Sequence, residues 1–210
     1  AQIACIAAVS ADKVGRSCKL RLDRDHDMMM TGKRHDFVID YDVGFDDTGR
    51  ILGIDFEMAS RCGMSADLSG PVNDRAMFSS DNAYFLENVR ILSHRCKTNT
   101  VSNTAFRGFG GPQGMFAIEY AIEDIARNLG KDPLQVRRRN FYGKTDRNVT
   151  QYLQTVEDNI LDELFDQLLA SSGYQQRRTE ISEFNADSKI LKRGIAITPV
   201  KFGISFTSTL

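Results

Sequence analysis

Tryptophan is absent from the 210 residues and proline occurs only 4 times, which excludes collagen-like and proline-rich architectures. No uninterrupted apolar run approaches the roughly 20 residues that a membrane-spanning helix needs. There is no excess of either charge: Lys+Arg 27 against Asp+Glu 28 leaves a formal net charge of -1. Nothing general therefore draws the chain to DNA, RNA or an anionic membrane. The 4 cysteines, Cys5, Cys18, Cys62 and Cys96, form no C-x-x-C pair, so a zinc ribbon or a thioredoxin-type site has no support. A chain of this size does not need disulfides, and the thiols read as reduced, in a cytoplasmic protein. Signatures of common sites are missing too: no G-x-S-x-G, no G-x-G-x-x-G, and no Gly-Lys-Ser/Thr phosphate loop. No basic stretch and cleavage site mark a signal peptide.

What is present is ordinary globular material. Hydrophobic residues make up 41% and charged residues 26%, and 23.6 kDa suits one large domain or two small ones. The opening AQIACIAAV reads as a helix already under way, and the closing KFGISFTSTL as strand. The chain thus reads as a piece of a longer polypeptide. Residues 17–24 and 37–45 alternate polar and apolar as half-buried strands do. Asp46-Asp47-Thr48-Gly49 is a turn signal, and 51–59 returns as the second arm of a hairpin. Residues 60–80, with Gly63, Gly70 and Pro71, read mostly as loop, and 89–97 as a further strand. Met115, Ile118, Ile122, Ile125 and Leu129 recur at steps of three and four, predicting a helix with Pro112 in its first turn and Gly130 at its exit. Asp132-Pro133 starts a short basic helix. Residues 142–158 are polar and connect. Ile160 to Leu169 carry an amphipathic helix that ends near Gly173, 175–187 is a polar helix or coil, and 194–207 is a final strand run. The fold class is α+β, antiparallel β-hairpins with helices packed against them.

The segment NTAFRGFGGPQG, 103–114, is the best functional candidate. Gly108, Gly110, Gly111 and Gly114 let backbone amides close on an oxyanion, and the following helix adds its N-terminal field. Arg107 brings a fixed charge there, and Phe109 offers a ring face to a flat ligand. A glycine-rich turn that packs strand against helix, with Phe109 in the core, explains the same pattern equally well. Asp23, Asp25, Asp27 and His26 lack the glycine and closing glutamate of a calcium loop and read as solvated charge at a strand end. His35 and His94 have no partner at ligand or triad spacing, so each reads as a surface or a satisfied core histidine. Arg137, Arg138 and Arg139 read as a solvated helix face, and Arg75 as an exposed loop arginine.

NTAFRGFGGPQGM followed by a helix and VRRRNFY resembles the molybdenum-cofactor-binding region of the xanthine dehydrogenase and aldehyde oxidase family. LDRDHDMMMTGKRHDF and PVKFGISFT carry the same likeness, in order, over essentially the whole chain. The resemblance implies part of a molybdopterin-binding domain. Residues 1–143 would form a partial cofactor-binding subdomain with its glycine-rich loop at 103–114. Residues 144–190 would be a helical connection, and 191–210 the start of a second molybdenum-binding subdomain.

The family hydroxylates purines at carbon with oxygen from water, using a molybdenum centre held by a pterin dithiolene. The resemblance places Phe106, Arg107 and Gly108 against the cofactor, Arg107 through its main chain, and no side chain of this chain on the metal itself. Phe109 and Phe206 fall on the two phenylalanines that sandwich the purine, and Thr207 on a threonine that hydrogen-bonds it. Arg75 falls on the arginine that orients the purine and stabilises charge on its oxygen. Aldehyde oxidases generally lack that arginine, so its presence favours xanthine or hypoxanthine over an aldehyde. FAD and two [2Fe-2S] clusters belong to other domains or subunits, and the catalytic glutamate base lies beyond this C-terminus. The expected partners are the purine, the FAD/iron-sulfur portion and the remaining segments of the molybdenum-binding portion, in a cytoplasmic, oligomeric enzyme. The piece alone is expected to be inert. An aldehyde-oxidising relative, or a non-catalytic segment that holds a pterin or nucleotide, are the alternatives.

Overall fold

The structure, a computed structural model, describes residues 2–203. The chain order is α1 (Gln2–Val14), α2 (Arg24–Met30), β1 (Phe37–Phe45), β2 (Ile51–Gly63), α3 (Ser69–Phe78), β3 (Val89–Lys97), α4 (Gly111–Leu129), α5 (Pro133–Asn140), α6 (Leu161–Ser172) and α7 (Tyr174–Asp187).

The expected hairpin is present. β1 pairs antiparallel with β2, from Phe37 opposite Ser60 to Phe45 opposite Ile51. Its turn is closed by Asp46, whose Oδ1 accepts from the Thr48 amide at 2.9 Å and the Arg50 amide at 3.0 Å. Gly49 takes φ 89°, which suits a residue without Cβ. The third strand departs from the hairpin expectation. β3 pairs parallel with β2, so the sheet is mixed, in the order β1-β2-β3. A parallel pair needs a crossover, and α3 supplies it. The stretch expected as loop is therefore the end of β2 followed by a helix. Its apolar positions are sparse, and only Ser69, Val72, Asn73 and Ala76 are buried, so tertiary contact rather than periodicity holds it.

β1 alternates half-buried and exposed along its whole length, as a strand with one covered face does. The covering layer is α4, whose Ala117, Ile118, Ala121, Ile122, Ile125 and Ala126 join Ile51, Ile54, Phe56 and Met58 of β2 in one core. Each of those fully buried isoleucines contributes about 1.5–3 kcal/mol. α4 ends as read: Gly130 has φ 62° and its amide reaches the Ala126 carbonyl. α5 begins as read, with the Asp132 side chain accepting from the Leu134 amide at 2.9 Å. α6 joins the core through Phe165, edge-on to Phe141 at 4.8 Å.

Three further expectations are corrected. Residues 17–23 form no strand, and the aspartates after them sit on α2, whose N-cap Asp23 accepts from the His26 amide at 2.8 Å. The described part of the last segment, 194–203, forms no strand. Arg137 is not solvated. It is 3% exposed and bonded to Glu119 at 2.9 Å and Glu123 at 2.7 Å. Burial opposes its charge, but the two carboxylates outweigh burial and hold the guanidinium protonated. A helix turns three successive side chains in different directions, and one of these three faces α4.

Candidate functional site

Four pieces distant in sequence meet at the start of α4: the 33–36 segment, α3, the glycine-rich loop and the 197–203 segment. The loop is a pair of tight turns, with the Phe109 amide on the Phe106 carbonyl at 2.7 Å and the Gly111 amide on the Gly108 carbonyl at 3.0 Å. Gly108, Phe109 and Gly110 all have positive φ, 88°, 52° and 96°. Glycine accepts this at no steric cost, whereas a phenylalanine there is strained by about 1–2 kcal/mol.

The two explanations of the glycines divide by position. A Cβ on Gly110 would lie 2.0 Å from the Val72 carbonyl oxygen, and one on Gly114 2.1 Å from that of Ala76. Those two glycines let α4 pack directly on the backbone of α3. The amides of Phe109, Gly111, Gln113 and Gly114 donate within the loop, and Pro112 has none. Among the described residues the amides of Arg107, Gly108 and Gly110 make no such bond, and an anion cradle would draw on those three.

The same close approach places Arg75. It lies on α3 rather than in a loop, is half-buried, and directly precedes the Ala76 that abuts Gly114. Its guanidinium carbon sits 4.8 Å from the centre of the Phe202 ring. Phe202 in turn covers Gly111, where an added Cβ would come within 2.8 Å of the ring.

On the other side of the loop, Arg34 spans Phe106 and Arg107. Its guanidinium lies 4.6 Å from the Phe106 ring centre and donates to the Arg107 carbonyl at 2.7 Å. Gln113 donates from Nε2 to the His35 carbonyl at 2.9 Å. Arg34 Nη1 and Gln113 Oε1, one donor and one acceptor, are buried there without a partner among the described residues. His35 is a core histidine, 1% exposed, with Nε2 2.7 Å from Ser69 Oγ. Its burial lowers its pKa below 6.5, although Asp67 and Asp36 pull the other way.

The 197–203 segment is fastened by residues that follow α3. Asn82 donates from Nδ2 to the Pro199 carbonyl at 2.9 Å and accepts on Oδ1 from the Lys201 amide at 3.1 Å. The buried Asp81 carboxylate takes the Lys201 ammonium and the Tyr142 hydroxyl, the latter at 2.6 Å. Burial pushes the Asp81 carboxyl up, and Lys201 and Tyr142 pull it back without cancelling the effect.

Among the expected site residues, the structure brings Arg75, Phe106, Arg107, Gly108 and Phe109 to one place. Phe206 and Thr207 lie outside the described residues. Sequence reasoning missed Arg34, Asn82, Asp81, Lys201 and Phe202. The one available signal was Asn82, since asparagine is a residue that tolerates the left-handed backbone it adopts here, φ 43°. His94 is a surface residue, 3.0 Å from Glu57. Among the described residues no group of three or more His, Cys, Asp or Glu is arranged to hold a metal, and no helix is long and apolar enough to cross a membrane. All four cysteines are free thiols. A groove of about 1000 Å³ opens elsewhere, between Asp42, Asp55, Phe85, Arg90 and Leu153.

Comparison with known proteins supplies a context for this geometry. The family model described as the molybdopterin cofactor-binding domain matches residues 1–141. The chain is 44% identical over 203 residues to the xanthine dehydrogenase of Dictyostelium discoideum, covering 97% of this chain and 15% of that protein. It is 47% identical over 206 residues to xanthine dehydrogenase 1 of Arabidopsis thaliana, covering 98% of this chain and 15% of that one. Among solved structures, the aldehyde oxidoreductase from Desulfovibrio desulfuricans is similar with a TM-score of 0.73 and 27% identity, over 85% of this chain and 19% of that one. The chain thus spans about 15% of the length of the curated relatives it matches.

Proposed function

The chain belongs to the molybdopterin cofactor-binding domain family, and from that premise we propose that it forms one wall of the active site of a purine-oxidising molybdenum hydroxylase. The observation that carries this reading is Arg75, a permanently charged group held at the mouth of the glycine-rich loop against an aromatic ring.

The residues fit a polar, multi-ring cofactor. Arg34 Nη1 and Gln113 Oε1 are a buried donor and acceptor left open beside the loop. Phe106, Arg107 and Gly108 would hold the group. Arg34 already takes the Arg107 carbonyl, so the Arg107 amide is the main-chain contact that remains. When bound, the cofactor supplies two-electron oxidation at carbon with oxygen taken from water, and molybdenum is reached only through the pterin.

The chain's own residues bind and orient. By the family resemblance Phe109 and Phe206 would sandwich a planar purine and Thr207 would hydrogen-bond it, which would fix the carbon that reacts. Arg75 faces the purine oxygen as negative charge grows on it. A fixed cation aimed at that charge stabilises the transition state more than the ground state. The substrate under this reading is xanthine or hypoxanthine, and the family resemblance adds FAD and iron-sulfur partners outside this chain. We place the complete enzyme in the cytoplasm.

In the complete protein, Arg75→Met is expected to lower kcat/KM for xanthine about a hundredfold, the usual loss for one such donor. The loss for a small aldehyde should be at least tenfold smaller. Urate formation and molybdenum content, assayed together, check this. Metal with aldehyde turnover but no urate formation would favour the aldehyde-oxidising reading. Metal with neither activity would favour a binding segment without chemistry.

A further inference from the structure

From Ile195 to Lys201, in the segment that ends the described chain, alternate residues are buried, yet among the described residues no backbone hydrogen bond accounts for its place. A side chain holds it instead. Asn82 meets the carbonyl of residue 199 and the amide of residue 201, 2.9 and 3.1 Å away. That is the two-point contact by which one residue of a parallel strand grips its neighbour, here made by a side-chain amide. The amide cannot swing away freely. Asn82 is 1% exposed, and its Nδ2 is shared with Glu119 of α4 at 2.9 Å. Glu119 is itself fixed by the Tyr84 hydroxyl at 2.5 Å and by the buried Arg137. Beside it Asp81 holds Lys201 by charge. The next residue along is Phe202, whose ring lies on Gly111 and under the Arg75 guanidinium.

We propose that Asn82 is a positioning residue for Arg75. By clamping residues 199–201 to α4 it sets the Phe202 ring, and the ring sets the direction of the guanidinium. A guanidinium over an aromatic face is held there by the ring quadrupole. The clamp thus specifies aim rather than charge. The inference rests on the reading of Arg75 as the group that meets the purine oxygen.

The test uses the complete enzyme, with molybdenum content measured for every variant. Asn82→Gly keeps the positive φ without strain and deletes only the amide. Phe202→Leu keeps apolar cover on Gly111 and deletes only the ring. Each is expected to lower kcat/KM for xanthine about tenfold, chiefly in kcat, and to leave that for a small aldehyde within about twofold. In an Arg75→Met background neither should cost anything further for xanthine, because two steps of one mechanism are non-additive. Equal losses for xanthine and aldehyde, or full additivity with Arg75→Met, would overturn the clamp as a device for Arg75. If Arg75→Met itself failed to separate purine from aldehyde, the reading of Arg75 would fall first, and the result would be told apart by that single variant.

Discussion

At the scale of single residues, the site concentrates its strain at one position. Phe109 is the only residue in the loop with a side chain and a left-handed backbone, and it sits between two glycines that share that backbone. Phe109→Gly is expected to lower kcat/KM for xanthine, since the ring that would stack on the purine is gone. Turnover of preparations with matched molybdenum content checks this. His35 makes a different prediction. Its folded-state pKa is depressed by burial, so below pH 6.5 the unfolded chain takes up a proton that the folded one refuses. Stability is lost as pH falls from 6.5 toward the lowered folded value and does not decline further on this account below it. Melting temperatures across that range should fall in the parent and flatten in His35→Gln.

At the scale of elements, the decisive contact is α3 on α4. Gly114 presses on the Ala76 carbonyl and Gly110 on that of Val72, so the two backbones touch with no side chain between them. A methyl group at Gly114 meets backbone that cannot yield, and overpacking of this kind costs about 1–3 kcal/mol. Gly114→Ala is expected to lower Tm and to reduce xanthine turnover as well, because Arg75 rides on the displaced helix. A drop in Tm with unchanged turnover would show that α3 shifts without carrying the site.

This contact also marks where sequence reading stopped. α4, α5 and the β1-β2 hairpin were legible because periodicity, caps and a turn all agree at those places. α3 was not, since Gly70, Pro71 and few apolar residues read as loop, and its helix is imposed by packing. Nor did the strand reading of 89–97 tell whether β3 would run parallel or antiparallel. The glycine loop was found from its own pattern and Arg75 through family resemblance, whereas Arg34, Asn82 and Phe202 act through distant contacts that no local pattern encodes.

At the scale of the whole molecule, one end of the chain is bare. α1 has no buried residue, and Ile6, Val9 and Val14 are 48%, 59% and 60% exposed. Met28, Met29 and Met30 of α2 are likewise exposed. Relatives are several times longer than this chain, and segments outside it would cover such apolar surface. Expressed alone, residues 1–210 are expected to self-associate as concentration rises and to retain no molybdenum. Light scattering that shows a monomer at every concentration would contradict the first, and metal analysis tests the second. The clamp at Asn82 also has a consequence in time. Its partner residue lies 117 positions later in the chain, which at 5–20 residues per second is about 6–23 s of synthesis. Throughout that interval α3 has already been made, and β3 is completed early in it, while the ring that backs Arg75 has not yet been made. The arginine is among the first parts of the site to leave the ribosome and among the last to be aimed.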